Sequence, residues 1–168
     1  MSGTGGEAAF PPAGPKALRG AVCTAWLVWV GVAVLVGPQW ALAAQSSDVC
    51  DLHFSNGVVL RDVPVARTKA QRVRGLSSID SAGNGLLFEW DKAEPRIFGM
   101  HETHIPLSLG FFDEHGRLFA IEDMEPESDK YYFSFQPAAT ALELAQGEFK
   151  RNRLLLGVRL EARSCFPS

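Results

Sequence analysis

"PLSLGFFDEHGRLFAIED" occupies residues 106–123. Two apolar runs flank Asp113-Glu114-His115-Gly116. Gly116 supplies the left-handed backbone that a tight reversal needs, so the segment predicts a β-hairpin. Strand patterning continues on both sides of it. Upstream, "CDLHF" (50–54) alternates, with Leu52 and Phe54 on one face, and Asn56-Gly57 punctuates the chain before the β-branched "GVVLRDVPVA". "GLLFEW" (85–90) is a short apolar run after Gly83-Asn84-Gly85 and reads as a buried strand following a turn. Downstream, "TALELAQG" (140–147) and "RLLLGVRLEARSC" (153–165) read as closing strands, with a short helix as the alternative for "ALELAQGEF". One helix is expected, over about 68–76, where Thr68 can cap "TKAQRVRGL" and Gly75 can end it. Short, largely antiparallel strands with one short helix predict a mostly β fold, a compact sandwich or small barrel.

The chain has 168 residues, of which 46% are apolar, enough for one packed domain and hardly two. Its net charge of -3 argues against nucleic acid as a partner, because phosphate binding wants a basic face. The N-terminus reads separately. Lys16 and Arg19 precede "AVCTAWLVWVGVAVLV" (21–36), Gly37-Pro38 break the pattern, and Ala41 and Ala43 are spaced as an A-x-A site. Basic region, apolar region and small-residue site make a signal peptide over residues 1–44, cut near 43/44. That leaves residues 45–168 as a single β domain, periplasmic or secreted. The alternative is an anchor made by uncleaved residues 21–44. The signal segment is the only expected contact with a membrane.

Cleavage would remove Cys23 and leave Cys50 and Cys165 near the two ends of the domain. In an oxidising compartment two such cysteines pair, and a bridge requires the first and last segments to be neighbours.

Residues 101–104, His-Glu-Thr-His, raise the question of a metal. Zinc proteases place two histidines four apart on a helix. Here the spacing is three and Pro106 follows, which disfavours a helix. As a strand, His101 and Thr103 point one way and Glu102 and His104 the other. No metal and no cofactor is therefore expected; Gly83-Asn84-Gly85 fits a turn rather than a phosphate cradle. No G-x-S-x-G elbow is present. Glu102 and Glu143 can be drawn as a carboxylate pair, the basis of a hydrolase acting on envelope polysaccharide or peptide. The long connection 122–140, rich in aromatic residues, is a second place for function.

Six stretches follow in order: "ARTKAQRVRGL" (66–76), "GLLFEW" (85–90), "GMHETHIPL" (99–107), "FFDEHGRL" (111–118), "MEPES" (124–128) and "ALELAQG" (141–147). Together they resemble the bacterial and archaeal family called domain of unknown function 192, across about residues 50–165. The family's central motif is similar to Phe-Trp-Met-Lys-Asn-Thr-x-x-Pro-Leu-Asp. Met100, Thr103, Pro106 and Leu107 match it. Gly99, His101, Glu102 and Ser108 replace its Trp, Lys, Asn and Asp. Ser77 stands where methionine is usual, and Glu143 and Gly147 match a Leu-Glu-x-x-x-Gly pattern. The resemblance implies a compact, mostly β fold with one short helix and brings no established activity.

The expected function is a non-catalytic binding or accessory domain of the cell envelope. Its partner would be a small molecule or an envelope protein, and its state a monomer. Met100, His101, Glu102 and Thr103 would form the site, with Thr103 orienting the ligand and Tyr131 or Tyr132 covering it. Two other roles stand beside it: the hydrolase using Glu102 or Glu143, and a structural module of an envelope assembly.

Overall fold

The computed structural model describes residues 48–167. The expected signal segment, residues 1–44, lies outside the described residues. Nine strands and two short helices follow along the chain: β1 (Val49–Phe54), β2 (Val59–Ala66), α1 (Lys69–Arg74), β3 (Leu86–Glu94), β4 (Ile97–Gly99), β5 (Leu107–Phe112), β6 (Leu118–Met124), β7 (Tyr131–Phe133), β8 (Ala138–Ala145), α2 (Glu148–Arg151) and β9 (Leu160–Phe166). Seven strands form one sheet in the order β6-β5-β8-β3-β2-β1-β9, and β4 pairs with β7 in a separate two-stranded sheet.

The hairpin read from residues 106–123 is β5–β6, with Leu107 opposite Met124 and Gly116 at φ +72°. β5 is buried at every position because it lies inside the sheet with both faces covered. Its neighbours divide into two cores. Leu87, Phe112, Leu142 and Leu144 meet Cys50, Leu52 and Phe149 in one. Phe88, Leu109, Phe111 and Ala141 meet Met100, Met124 and Tyr132 in the other. In β8 the large residues Leu142 and Leu144 enter the first core, while Ala141 enters the second.

Several boundaries differ from the sequence reading. The sheet is mixed: β2 and β3 run parallel, with Val65 opposite Leu87, and α1 lies in the crossover between them. It is not closed into a barrel. Among the described residues one isolated bridge, Arg117 with Arg159, links the residues just before its two edge strands, β6 and β9. "ALELA" is strand, not helix, and the helical turn comes after it as α2. Residues 153–158 are irregular with turns at 153 and 156–157, so only the second half of "RLLLGVRLEARSC" pairs as a strand. The 122–140 connection is shorter than expected, because β6, β7 and β8 all extend into it. No helix of the described residues is long and apolar enough to cross a membrane.

Cys50 and Cys165 form a disulfide, directly opposite each other across the antiparallel β1–β9 pair.

Candidate functional site

Three clefts of comparable size, about 510, 430 and 590 Å³, mark the surface of the described residues. The first differs in what lies at its base. Glu143 comes from the middle of β8, between Leu86 of β3 and Leu109 of β5 in register. Alternation along β8 turns its side chain away from Leu142 and Leu144, onto the face that carries Phe88. The residue is 4% exposed. Its Oε2 is buried and has no hydrogen-bond partner among the described residues. Burial pushes the carboxyl up to about 8, so it is largely protonated at neutral pH.

The turn that ends α1 packs over this carboxyl. Gly75 adopts φ +51°, and a carbon added there would sit 3.6 Å from the Phe88 ring and 3.9 Å from Glu143 Oε2. A larger side chain would grow into the space over the acid. Around the floor stand aromatic walls. Phe88 and Phe98 meet edge to face at 4.9 Å, and Phe88 stacks with Trp90 at 6.1 Å. Phe88 and Trp90 are two apart on β3 and so share a face. Two guanidinium groups lie over the Trp90 ring, Arg96 at 4.4 Å and Arg72 at 5.6 Å. Arg72 is held by the carbonyls of Arg67 and Glu89, and Arg96 by those of Lys92 and Ala138. Lys69 and Arg74 complete a basic rim, and among the described residues Glu143 is the single carboxylate in the lining.

The residues singled out from sequence do not form one site. Thr103 and Glu143 line this cleft. Met100, His101 and Tyr131 line a smaller one of about 290 Å³ beside residues 128–130. Tyr132 is buried in the core, where its hydroxyl accepts the Glu125 amide at 3.2 Å, and it lines neither cleft. Glu102 lines neither cleft, and the Glu102–Glu143 carboxylate pair is not assembled.

The strand alternation expected for residues 101–104 is also absent. The segment is a turn in which the Thr103 amide donates to Met100 O at 3.1 Å and Glu102 takes φ +57°. Two neighbours hold it: Ser78 N donates to Glu102 O, and Glu127 N to Thr103 O. Met100 and Thr103 therefore turn inward, while His101 and Glu102 face solvent. His104 Nδ1 lies 2.7 Å from Glu127 Oε1 rather than beside Glu102. Among the described residues no group of three or more His, Cys, Asp and Glu is placed to hold a metal ion.

Arg72, Trp90, Phe98 and Arg96 were missed by the sequence reading. The spacing of Phe88 and Trp90 in "GLLFEW" is the one local signal that could have found a wall of the cleft. The arginines carry none, since they meet Trp90 only after three elements pack together.

Comparison with curated proteins gives no match. Two solved structures share the fold. A protein of Sinorhizobium meliloti, described provisionally as a transcription regulator, is 30% identical over 68% of this chain and 92% of its own, with a TM-score of 0.60. A protein of unknown function from Novosphingobium aromaticivorans is 24% identical over 68% of this chain and 84% of its own, with a TM-score of 0.59. The sequence profile of domain of unknown function 192, described as "Uncharacterized ACR", matches residues 53–162. That span runs from β1 into β9 and contains the whole lining of the cleft, and the chain belongs to this family.

Proposed function

We propose that the chain is an exported domain of the cell envelope that binds a small molecule in the cleft over Glu143 without transforming it. One observation carries the reading: a buried carboxyl with an unpartnered oxygen at the base of an aromatic-walled cleft. Buried polar atoms are ordinarily paired, and leaving one unpaired costs about 1–3 kcal/mol. A purely structural module gains nothing from that cost. A ligand that hydrogen-bonds the carboxyl recovers it on binding. The cleft's volume of about 510 Å³ falls among those of small-molecule sites, roughly 300–1,000 Å³.

Hydrolysis is the weaker reading. A raised carboxyl would suit a general acid, yet glycoside hydrolysis ordinarily uses two carboxylates, and the lining holds one. Duplex reading, as the description of the Sinorhizobium relative would have it, wants a basic face and an element for the groove. The two described helices have six and four residues, and the chain is acidic. The disulfide and the 21–36 apolar segment support the compartment.

Native mass spectrometry of the protein purified from its own compartment tests the binding reading. A bound small molecule should add mass to the wild-type protein and be lost from Glu143→Leu. Leucine removes an unpartnered buried acid, so this variant should fold at least as stably and isolate the loss of binding. An adduct that persists in a folded Glu143→Leu protein would place the ligand elsewhere.

A further inference from the structure

We propose that the ligand of this cleft is a small organic anion, its charged group at the α1 rim and its apolar body against Trp90 and Phe98. The inference rests on the cleft being a binding site, as argued above, and names the class of molecule it takes. The argument starts from charge placement. The chain as a whole is acidic, yet the cleft draws Lys69, Arg72, Arg74 and Arg96 to its edge. Of the seven described arginines outside the lining, four have carboxylate partners: Arg61 with Asp51, Arg67 with Glu89 and Asp48, Arg151 with Glu148, and Arg163 with Glu89. Arg96 in the lining pairs with the exposed Glu94 at 3.3 Å. None of the three cations on α1 has one among the described residues. A cleft lined by one sign of charge, with low-dielectric walls, concentrates the opposite sign.

The floor agrees with this. Among the described residues Glu143 is the only acidic one in the lining, and burial keeps it neutral at neutral pH. It therefore adds no negative field to oppose an incoming anion. A protonated carboxyl offers one donor and an acceptor, which suits a hydroxyl, carbonyl or amide at the buried end of the ligand. A cationic ligand would find one neutral hydrogen-bonding partner at the floor and four like charges at the rim, of which only Arg96 is offset by a carboxylate, Glu94. The aromatic walls take a planar or aliphatic body between these ends. Carboxylate and phosphate groups satisfy the rim equally, since guanidinium pairs with both.

Trp90 reports the test. The chain has four tryptophans, and with Trp26, Trp29 and Trp40 changed to Phe it is the only one left. In this full-length protein, Trp90 fluorescence and ligand-observed NMR would follow 4-hydroxyphenylacetate, its primary amide and tyramine. A matched aliphatic set would be hexanoate, hexanamide and hexylamine. Phenyl phosphate separates a phosphate preference from a carboxylate one. The anions should bind at least about tenfold more tightly than their neutral and cationic partners, an advantage that weakens with added salt. Lys69→Gln/Arg74→Gln, both at exposed positions, should reduce anion binding about tenfold and leave amide binding alone. Equal or stronger binding of the amides or amines would overturn the anion assignment while the cleft stays a binding site. Failure of every anion to bind would overturn it as well, and the cleft reading would then stand or fall on the native-mass result.

Discussion

Glu143 shows how one side chain sets both a cost and a use. Its carboxyl is raised from an ordinary 4.5 to about 8 by burial, with no partner among the described residues to hold it ionised. Below about pH 4.5 it is protonated in both folded and unfolded chains and costs nothing in proton uptake. As the pH rises toward 8 the unfolded chain loses its proton and the folded chain keeps it, so folding must take one up. Stability from this source is complete below 4.5 and is lost by the time the pH has passed 8, at up to about 1.4 kcal/mol per pH unit. Glu143→Gln should therefore be nearly neutral at pH 4 and increasingly stabilising at pH 6 and 8. Urea denaturation of both proteins at the three values checks it, and a constant difference would show that Glu143 does not titrate in this window. The position of Glu143 was legible in the sequence, because strand alternation in "ALELA" sets it on the face opposite Leu142 and Leu144. That its oxygen lacks a partner was not, since this depends on which side chains Gly75 and Phe88 leave nearby.

Elements differ in how local their causes are. α1 was readable because its signals lie within a few residues. Thr68 accepts from the Gln71 amide while the Gln71 side chain returns to the Thr68 amide, and Gly75 ends the helix. The turn at 100–103 was not readable. Pro106 excluded a helix there, but the choice of turn over strand depends on the Ser78 and Glu127 amides, which are distant in sequence. α1 is six residues long with none buried, too short to persist unaided. Its cap and the two carbonyl contacts of Arg72 hold it in place, and with it the basic rim of the cleft. Thr68→Ala should lower stability by about 1 kcal/mol. Amide exchange should quicken over residues 69–75 before it does in the central strands β5 and β8. Uniform quickening across the sheet would mean that the cap supports the whole fold rather than this one element.

At the scale of the molecule, the order of strands places the first described strand, β1, beside the last, β9. Two cysteines near the ends of the domain made the meeting of first and last strands legible. The parallel β2–β3 step was not, because a crossover carrying a short helix looks the same in sequence whichever strand it reaches. β9 is the final strand of the sheet and is exposed along nearly its whole length. It is held by its ladder to β1, by the disulfide, and by the Arg163–Glu89 ion pair. The two cysteines are unequal. Cys50 lies in the core at 0% exposure, whereas Cys165 is exposed. Cys165→Ser therefore removes the bridge and leaves Cys50 as a small apolar side chain in its place. The bridge spans 115 residues, a closure worth at most about 4–5 kcal/mol in the chain-entropy model, and the expected loss is about 2–4 kcal/mol. Cys50→Ser should cost about 1–3 kcal/mol more, because it also buries a hydroxyl without an assured partner. Denaturation of the two variants under non-reducing conditions, beside the reduced wild-type protein, separates the terms. Reduced wild type and Cys165→Ser should coincide, with β9 amides the first to open in both. Equal losses for the two variants would show that Cys50 contributes through the bridge alone and not through its place in the core.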